Sequence, residues 1–137
     1  MSPEQIAHLE MVQSVVGRMS SHALAIKSVA VTMTVAALAL AVPQGGQASS
    51  STILILAGAL PIIIFWLLDA YYVRIERAFR CLFDSIRSGD PVEAFAMDFR
   101  PYLPRVGSVF RVAISSWSMG LYPALLALLL AAWLVTK

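Results

Sequence analysis

Charge is what this chain has little of. Only 13% of its 137 residues are Asp, Glu, Lys or Arg and 59% are hydrophobic, where a soluble domain is about one quarter charged. Residues 28–68 hold no charged side chain, and neither do residues 112–136. This excludes an ordinary soluble domain and points to lipid as the solvent, since roughly 30 Å of hydrocarbon takes about 20 apolar residues to cross. Cysteine is almost missing as well. Cys81 stands alone, which excludes an internal disulfide and a multi-cysteine metal cluster and leaves redox chemistry without support. The two histidines, His8 and His22, lack a third ligand at a metal-binding spacing, and both are expected to be solvated or interfacial. Asp90, Glu93 and Asp98 do not follow the pattern of a calcium loop. With no Gly-rich phosphate loop, nucleophile elbow or paired catalytic carboxylates, neither a metal, a cofactor nor an enzymatic activity is expected. The net charge is +2, and the arginines sit beside apolar tracts, so nucleic acid is not an expected partner.

What is present reads as one all-α membrane domain with three transmembrane helices and cytosolic helical extensions. Ser2-Pro3-Glu4-Gln5 is a helix start, with Ser2 as N-cap, Pro3 at the first helical position and Gln5 closing a capping box. An amphipathic helix over 2–22 follows, because Ile6, Leu9, Val12, Val16 and Met19 recur at spacings of three and four. Span one covers 23–42 and ends at Pro43, Gly45 and Gly46, in an uncharged loop running through Ser51. Ala39-Leu40-Ala41 has the look of a signal-peptide cleavage site. More than twenty residues including Glu4 and Glu10 precede the run, so the segment is expected to be retained. Small residues Ser21, Ala25, Ser28, Thr32, Ala36 and Ala39 form a stripe along this span. Such a stripe lets helices approach closely in lipid.

Span two covers 52–72, with Pro61 as a candidate kink and Trp66, Tyr71 and Tyr72 toward the wet end. The helix is expected to continue through 73–88, where Tyr72, Ile75, Phe79, Leu82, Phe83 and Ile86 share one face that must be covered. Glu76 to Arg80 and Arg80 to Asp84 are four apart on another face. Ser88-Gly89-Asp90-Pro91 ends it. Residues 89–112, interrupted by Pro101 and Pro104, form a connector packed on the cytosolic helices. The third span covers 113–135, opening with Ser115, Ser116, Trp117 and Ser118 and bending at Pro123. Nine of the ten Lys and Arg residues lie beside the start of span one or between spans two and three. The positive-inside rule therefore predicts a cytosolic amino terminus and a carboxyl terminus on the far side.

Lys27 and Asp69 flank the charge-free hairpin, and their midpoint falls in its loop. Folding there brings both to similar depth, so an ion pair is expected at the membrane edge, serving either to fix helix register or as a gate. Ser28 and Thr32, with Thr34 nearby, form either a packing seam or the lining of a path in an oligomer, because three spans alone cannot enclose a wide channel. Tyr72, Arg74, Glu76, Arg77, Phe79, Arg80 and Phe83 are the candidate cytosolic docking surface. Arg74, Arg77, Arg80 and Arg87 can also meet anionic head groups, or simply carry the positive-inside signal.

Several runs resemble a group of small bacterial membrane proteins. These are His8 to Gln13, Arg18-Met19 and Lys27, then Phe65-Trp66-Leu67-Leu68-Asp69-Ala70-Tyr71-Tyr72, Arg74, Glu76-Arg77, Phe79-Arg80 and Phe95-Ala96-Met97-Asp98. The likeness covers roughly residues 8–102 and is most specific in the tyrosine-arginine-glutamate-arginine segment. That segment is also similar to the exit helix of the SMODS- and SLOG-associated transmembrane effectors of bacterial conflict systems. The resemblance implies a role in antiphage defence, by permeabilising the inner membrane when a sensor is triggered. These residues carry no fused sensor or nucleotide-binding domain, so the resemblance implies a trigger from a separate partner. The leading expectation is an oligomeric inner-membrane protein that opens a conductive path when its cytosolic helices receive a signal. The alternative is a non-conducting anchor or assembly subunit for a cytosolic protein.

Overall fold

Two long helices, α1 (Pro3–Ala41) and α2 (Ala48–Ser88), pack along each other as a hairpin in the computed structural model, which describes residues 2–41, 48–115 and 119–136. A 3-10 turn (Arg100–Tyr102) and the short helices α3 (Leu103–Val106) and α4 (Val109–Ser115) lead to α5 (Leu121–Thr136), which packs mainly on α2. Among the described residues all regular structure is helical.

Local chemistry sets the ends of the rods. The Gln5 N–H donates to Ser2 Oγ at 3.2 Å and the Ser2 N–H to Gln5 Oε1 at 2.8 Å, a reciprocal capping box that satisfies donors the first turn leaves open. No breaker separates residues 22 and 23, so the amphipathic segment and the apolar segment form a single helix of 39 residues. α2 likewise runs unbroken for 41 residues with Pro61 inside it, and it starts at Ala48, ahead of the expected Thr52. Gly89 ends it at φ 79°, with its N–H donating to Ile86 O and that of Asp90 to Ser85 O. This is a Schellman closure, in which glycine takes the left-handed position without a Cβ clash. Residues 42–47, which include Pro43, Gly45 and Gly46, lie outside the described residues.

The third apolar tract departs from expectation. It does not run as one helix over 113–135, because Met119 and Gly120, just ahead of α5 at Leu121, are not α-helical. Ser116, Trp117 and Ser118 lie outside the described residues. The 16 residues of α5 rise about 24 Å, short of a typical hydrocarbon thickness.

Two apolar clusters hold the chain. One joins Ala30 of α1, Ile55, Ile62 and Ala70 of α2, Val112 and Ala113 of α4, and Met119, Tyr122, Leu125 and Leu129 near or in α5. Here the rods approach closely at Gly58, where an added Cβ would lie 2.8 Å from Ala37 Cβ and 3.7 Å from Leu129 Cδ1. The other joins Leu9, Val12 and Val16 of α1 to Phe79, Leu82 and Ile86 of α2, under Val92, Met97, Phe99 and Tyr102 of the connector. We call this second end the head. Most of the long apolar surface stays uncovered: 17% of the most apolar window of α1 and 28% of that of α2 are buried, unlike the core helices of a soluble protein. Both helices are long and apolar enough to cross a membrane.

Candidate functional site

Three helices meet at one buried carboxylate. Asp69 projects from α2 with no solvent exposure, and Lys27 of α1 places Nζ 2.5 Å from its Oδ2. The hydroxyl of Tyr122, from the first turn of α5, donates to the same oxygen at 2.9 Å. Asp69 Oδ1 is buried and has no hydrogen-bond partner among the described residues. One oxygen thus carries both a cation and a hydroxyl, while the other relies on the field of the pair alone.

The surroundings fix this geometry. Trp66, one turn before Asp69 on α2, stacks on Tyr122 with centroids 6.3 Å apart and planes 11° from parallel. Its Nε1–H donates to the Ala113 carbonyl at 3.2 Å, so α4 is held by the ring that positions the tyrosine. Tyr122 at Asp69 and Leu129 at Gly58 also show that α5 runs antiparallel to α2. Sequence reasoning overlooked Tyr122. Its signal was a phenolic hydroxyl inside a charge-free tract, which needs a partner when buried.

Chemically, the cluster neutralises a carboxylate and locks three helices in register. Among the described residues no group of three His, Cys, Asp or Glu side chains is placed to hold a metal ion. Lys27 retains 18% side-chain exposure and opens onto a groove between α1 and α2. Water can therefore reach the outer member of the pair but not Asp69.

The other candidate residues are dispersed. Ser28 and Thr32 are exposed, and their hydroxyls donate to the carbonyls of Leu24 and Ser28 at 3.1 and 2.9 Å. Ser21, Ala25, Ala36 and Ala39 of the same stripe are exposed too, so the seam faces away from the chain's own helices. Thr34 does not belong to it. It is buried on the opposite side and donates to Ala30 O at 2.8 Å.

The docking surface read from α2 needs correction, because the head consumes much of it. Phe79 is buried, with its ring 5.0 Å from that of Phe99, and Leu9, Val12 and Val16 cover the stripe from α1. Tyr72 packs beside His22 and Tyr71. The Nε–H of Arg74 donates to Gly107 O at 2.7 Å and ties α2 to the connector. Glu76 pairs with Arg80 at 2.6 Å, whereas Asp84 lies 3.7 Å from Arg87 instead of pairing with Arg80. Arg77 lines the groove beside Lys27, and Phe83 remains half-buried. His8 is another correction. Rather than being solvated or interfacial it is buried, with Nε2 2.8 Å from Ala96 O and its ring 5.9 Å from Phe95.

Comparison with protein-family models, curated proteins and solved structures finds no match for this chain.

Proposed function

We propose that this chain is an integral protein of the bacterial inner membrane, with its head and amino terminus in the cytosol and three apolar helices in lipid. It acts as a homo-oligomer that opens a conductive path, as a membrane-disrupting effector of a defence system triggered through the head. The observation that carries the reading is the outward face of α1. Ser21, Ala25, Ser28, Thr32, Ala36 and Ala39 form an exposed small and hydroxyl-bearing seam on a rod otherwise coated with Leu24, Val29, Val31, Met33, Val35 and Leu40. Small seams support close helix association in lipid, where the hydrophobic effect does not drive helices together. Around an axis, the same seam offers the hydroxyls of Ser28 and Thr32 to a wetted path. The Lys27–Asp69–Tyr122 lock lies at the cytosolic edge of that path, where a shift of the head reaches it through α1 and α2. The shortfall of α5 is met by local thinning of the bilayer.

Ser28→Cys or Thr32→Cys, in a Cys81→Ser background, tests the seam. Oxidation in membranes should yield cross-linked dimers, and induced expression should depolarise cells as read by a potential-sensitive dye. Monomers only, with an unchanged potential, would refute the proposal.

A second reading, the non-conducting anchor, draws on the head. Ile6, Leu9 and Phe83 line an open apolar groove there with Glu10, Gln13 and Ser14. A cytosolic protein docked in it would be captured stoichiometrically without ion leakage, and Ile6→Asp would abolish the capture.

A further inference from the structure

We infer that the groove between α1 and α2 on the cytosolic side of the Lys27–Asp69 pair is a binding site for the phosphate of an anionic phospholipid. The inference rests on the membrane reading above and adds a ligand to it. The groove encloses about 470 Å³. Each rod lines it with four residues at helical spacing, Ser20, Ala23, Leu24 and Lys27 from α1 and Val73, Glu76, Arg77 and Arg80 from α2.

Three cations therefore face one carboxylate, and Glu76 already engages Arg80 at 2.6 Å. Lys27 is shared with Asp69 behind it, which leaves the groove positive on balance. Arginine forks suit phosphate oxygens in a bidentate manner. The Arg80 side chain is 63% exposed while that of Glu76 is 14% exposed, so the guanidinium, not the acid, stands at the opening.

Depth favours a lipid. If Asp69 marks the hydrocarbon edge, Val73 to Arg77 lie about 6–12 Å farther along α2, in the layer that head groups occupy. Leu24, at 67% exposure, forms an apolar lip of the groove about one turn to the cytosolic side of Lys27, and an acyl chain leaving it can run along the exposed Val31 and Val35 of α1. A soluble phosphate would gain nothing from that lip. Basic pockets between helices on the cytosolic side are suited to anionic head groups.

The test uses the purified full chain in bilayer nanodiscs, with phosphatidylglycerol titrated into phosphatidylcholine and bound lipid counted by native mass spectrometry. Phosphatidylglycerol should be retained preferentially. Each basic side chain at an anionic head group is worth about fivefold in affinity, so Arg77→Gln with Arg80→Gln should weaken retention by about 25-fold. Ser20→Glu, which leaves both arginines in place and puts an acid in the groove, should also weaken it. Arg87→Gln removes an exposed charge on the same helix outside the groove and should change nothing.

An equal loss with Arg87→Gln would reduce the effect to diffuse attraction and overturn the site. Inorganic phosphate that stabilises the chain in pure phosphatidylcholine as well as phosphatidylglycerol does would overturn the lipid assignment. A chain that does not remain in the bilayer sinks the membrane reading itself. One that remains and shows no lipid preference sinks only the groove.

Discussion

Asp69 sits in a place where charge is expensive, and its neighbours decide what that does to stability. Removing one partner of a buried pair leaves the other uncompensated, typically at about 3–5 kcal/mol, while replacing both with apolar groups of similar volume is often near neutral. Lys27→Met should therefore lower the unfolding free energy of the chain in detergent by about 3 kcal/mol. Lys27→Met combined with Asp69→Leu should recover most of it, a non-additivity that a double-mutant cycle reads directly. Tyr122→Phe removes a hydrogen bond to a charged oxygen without emptying the space, so about 1.5–3 kcal/mol is expected. If Lys27→Met is silent in thermal unfolding, the lock does not hold the helices. The pairing of Lys27 with Asp69 could be read in the sequence because the two charges close a symmetric charge-free hairpin. Tyr122 could not be located in the same way, since nothing in a uniformly apolar tract says which residue faces inward.

The helices themselves answer to spacing and to a few small residues. Gly58 sits where α1 and α2 nearly touch, and Ala37 Cβ is not the tip of a flexible side chain that can swing aside. Gly58→Ala should destabilise by about 1–3 kcal/mol through overpacking, even though alanine is the better helix former. Gly17 is the internal control. It lies within α1 with nothing within 4 Å of an added Cβ, so Gly17→Ala should stabilise by about 0.5–1 kcal/mol. Opposite signs for the two alanines, measured by thermal unfolding, would verify the close approach, and equal signs would contradict it.

The long elements were legible because their signals are strong: a capping box at Ser2 and Gln5, a Gly89 stop, and an apolar run passing into an amphipathic one without a breaker. The division of the third tract was not. The tract carries no charge and no proline at Met119 and Gly120, where α-helix is absent, so hydropathy alone does not mark the division.

At the scale of the molecule, the chain is a two-rod hairpin with a third apolar helix at one end and a packed head at the other. The apolar stripe of α2 from Tyr72 to Ile86 requires a cover, which its spacing alone makes plain. The spacing does not say what that cover is. The cover is the chain's own amino-terminal helix together with Val92, Met97, Phe99 and Tyr102, because the hairpin places the two amphipathic segments side by side at the same end. Folding the head therefore uses the same register as the Lys27–Asp69 pair, to which two continuous helices join it. Exposure of the small seam on α1 follows from the same geometry, since α2 and α5 occupy the other side of the rod.

Labelling of Arg87→Cys, in a Cys81→Ser background, with a membrane-impermeant maleimide tests the proposal that the hairpin lies in the bilayer with its head in the cytosol. The chain should stay with membranes after alkaline carbonate, and the cysteine should react only once spheroplasts are broken. Labelling in intact spheroplasts, or release of the chain into the carbonate wash, would contradict it.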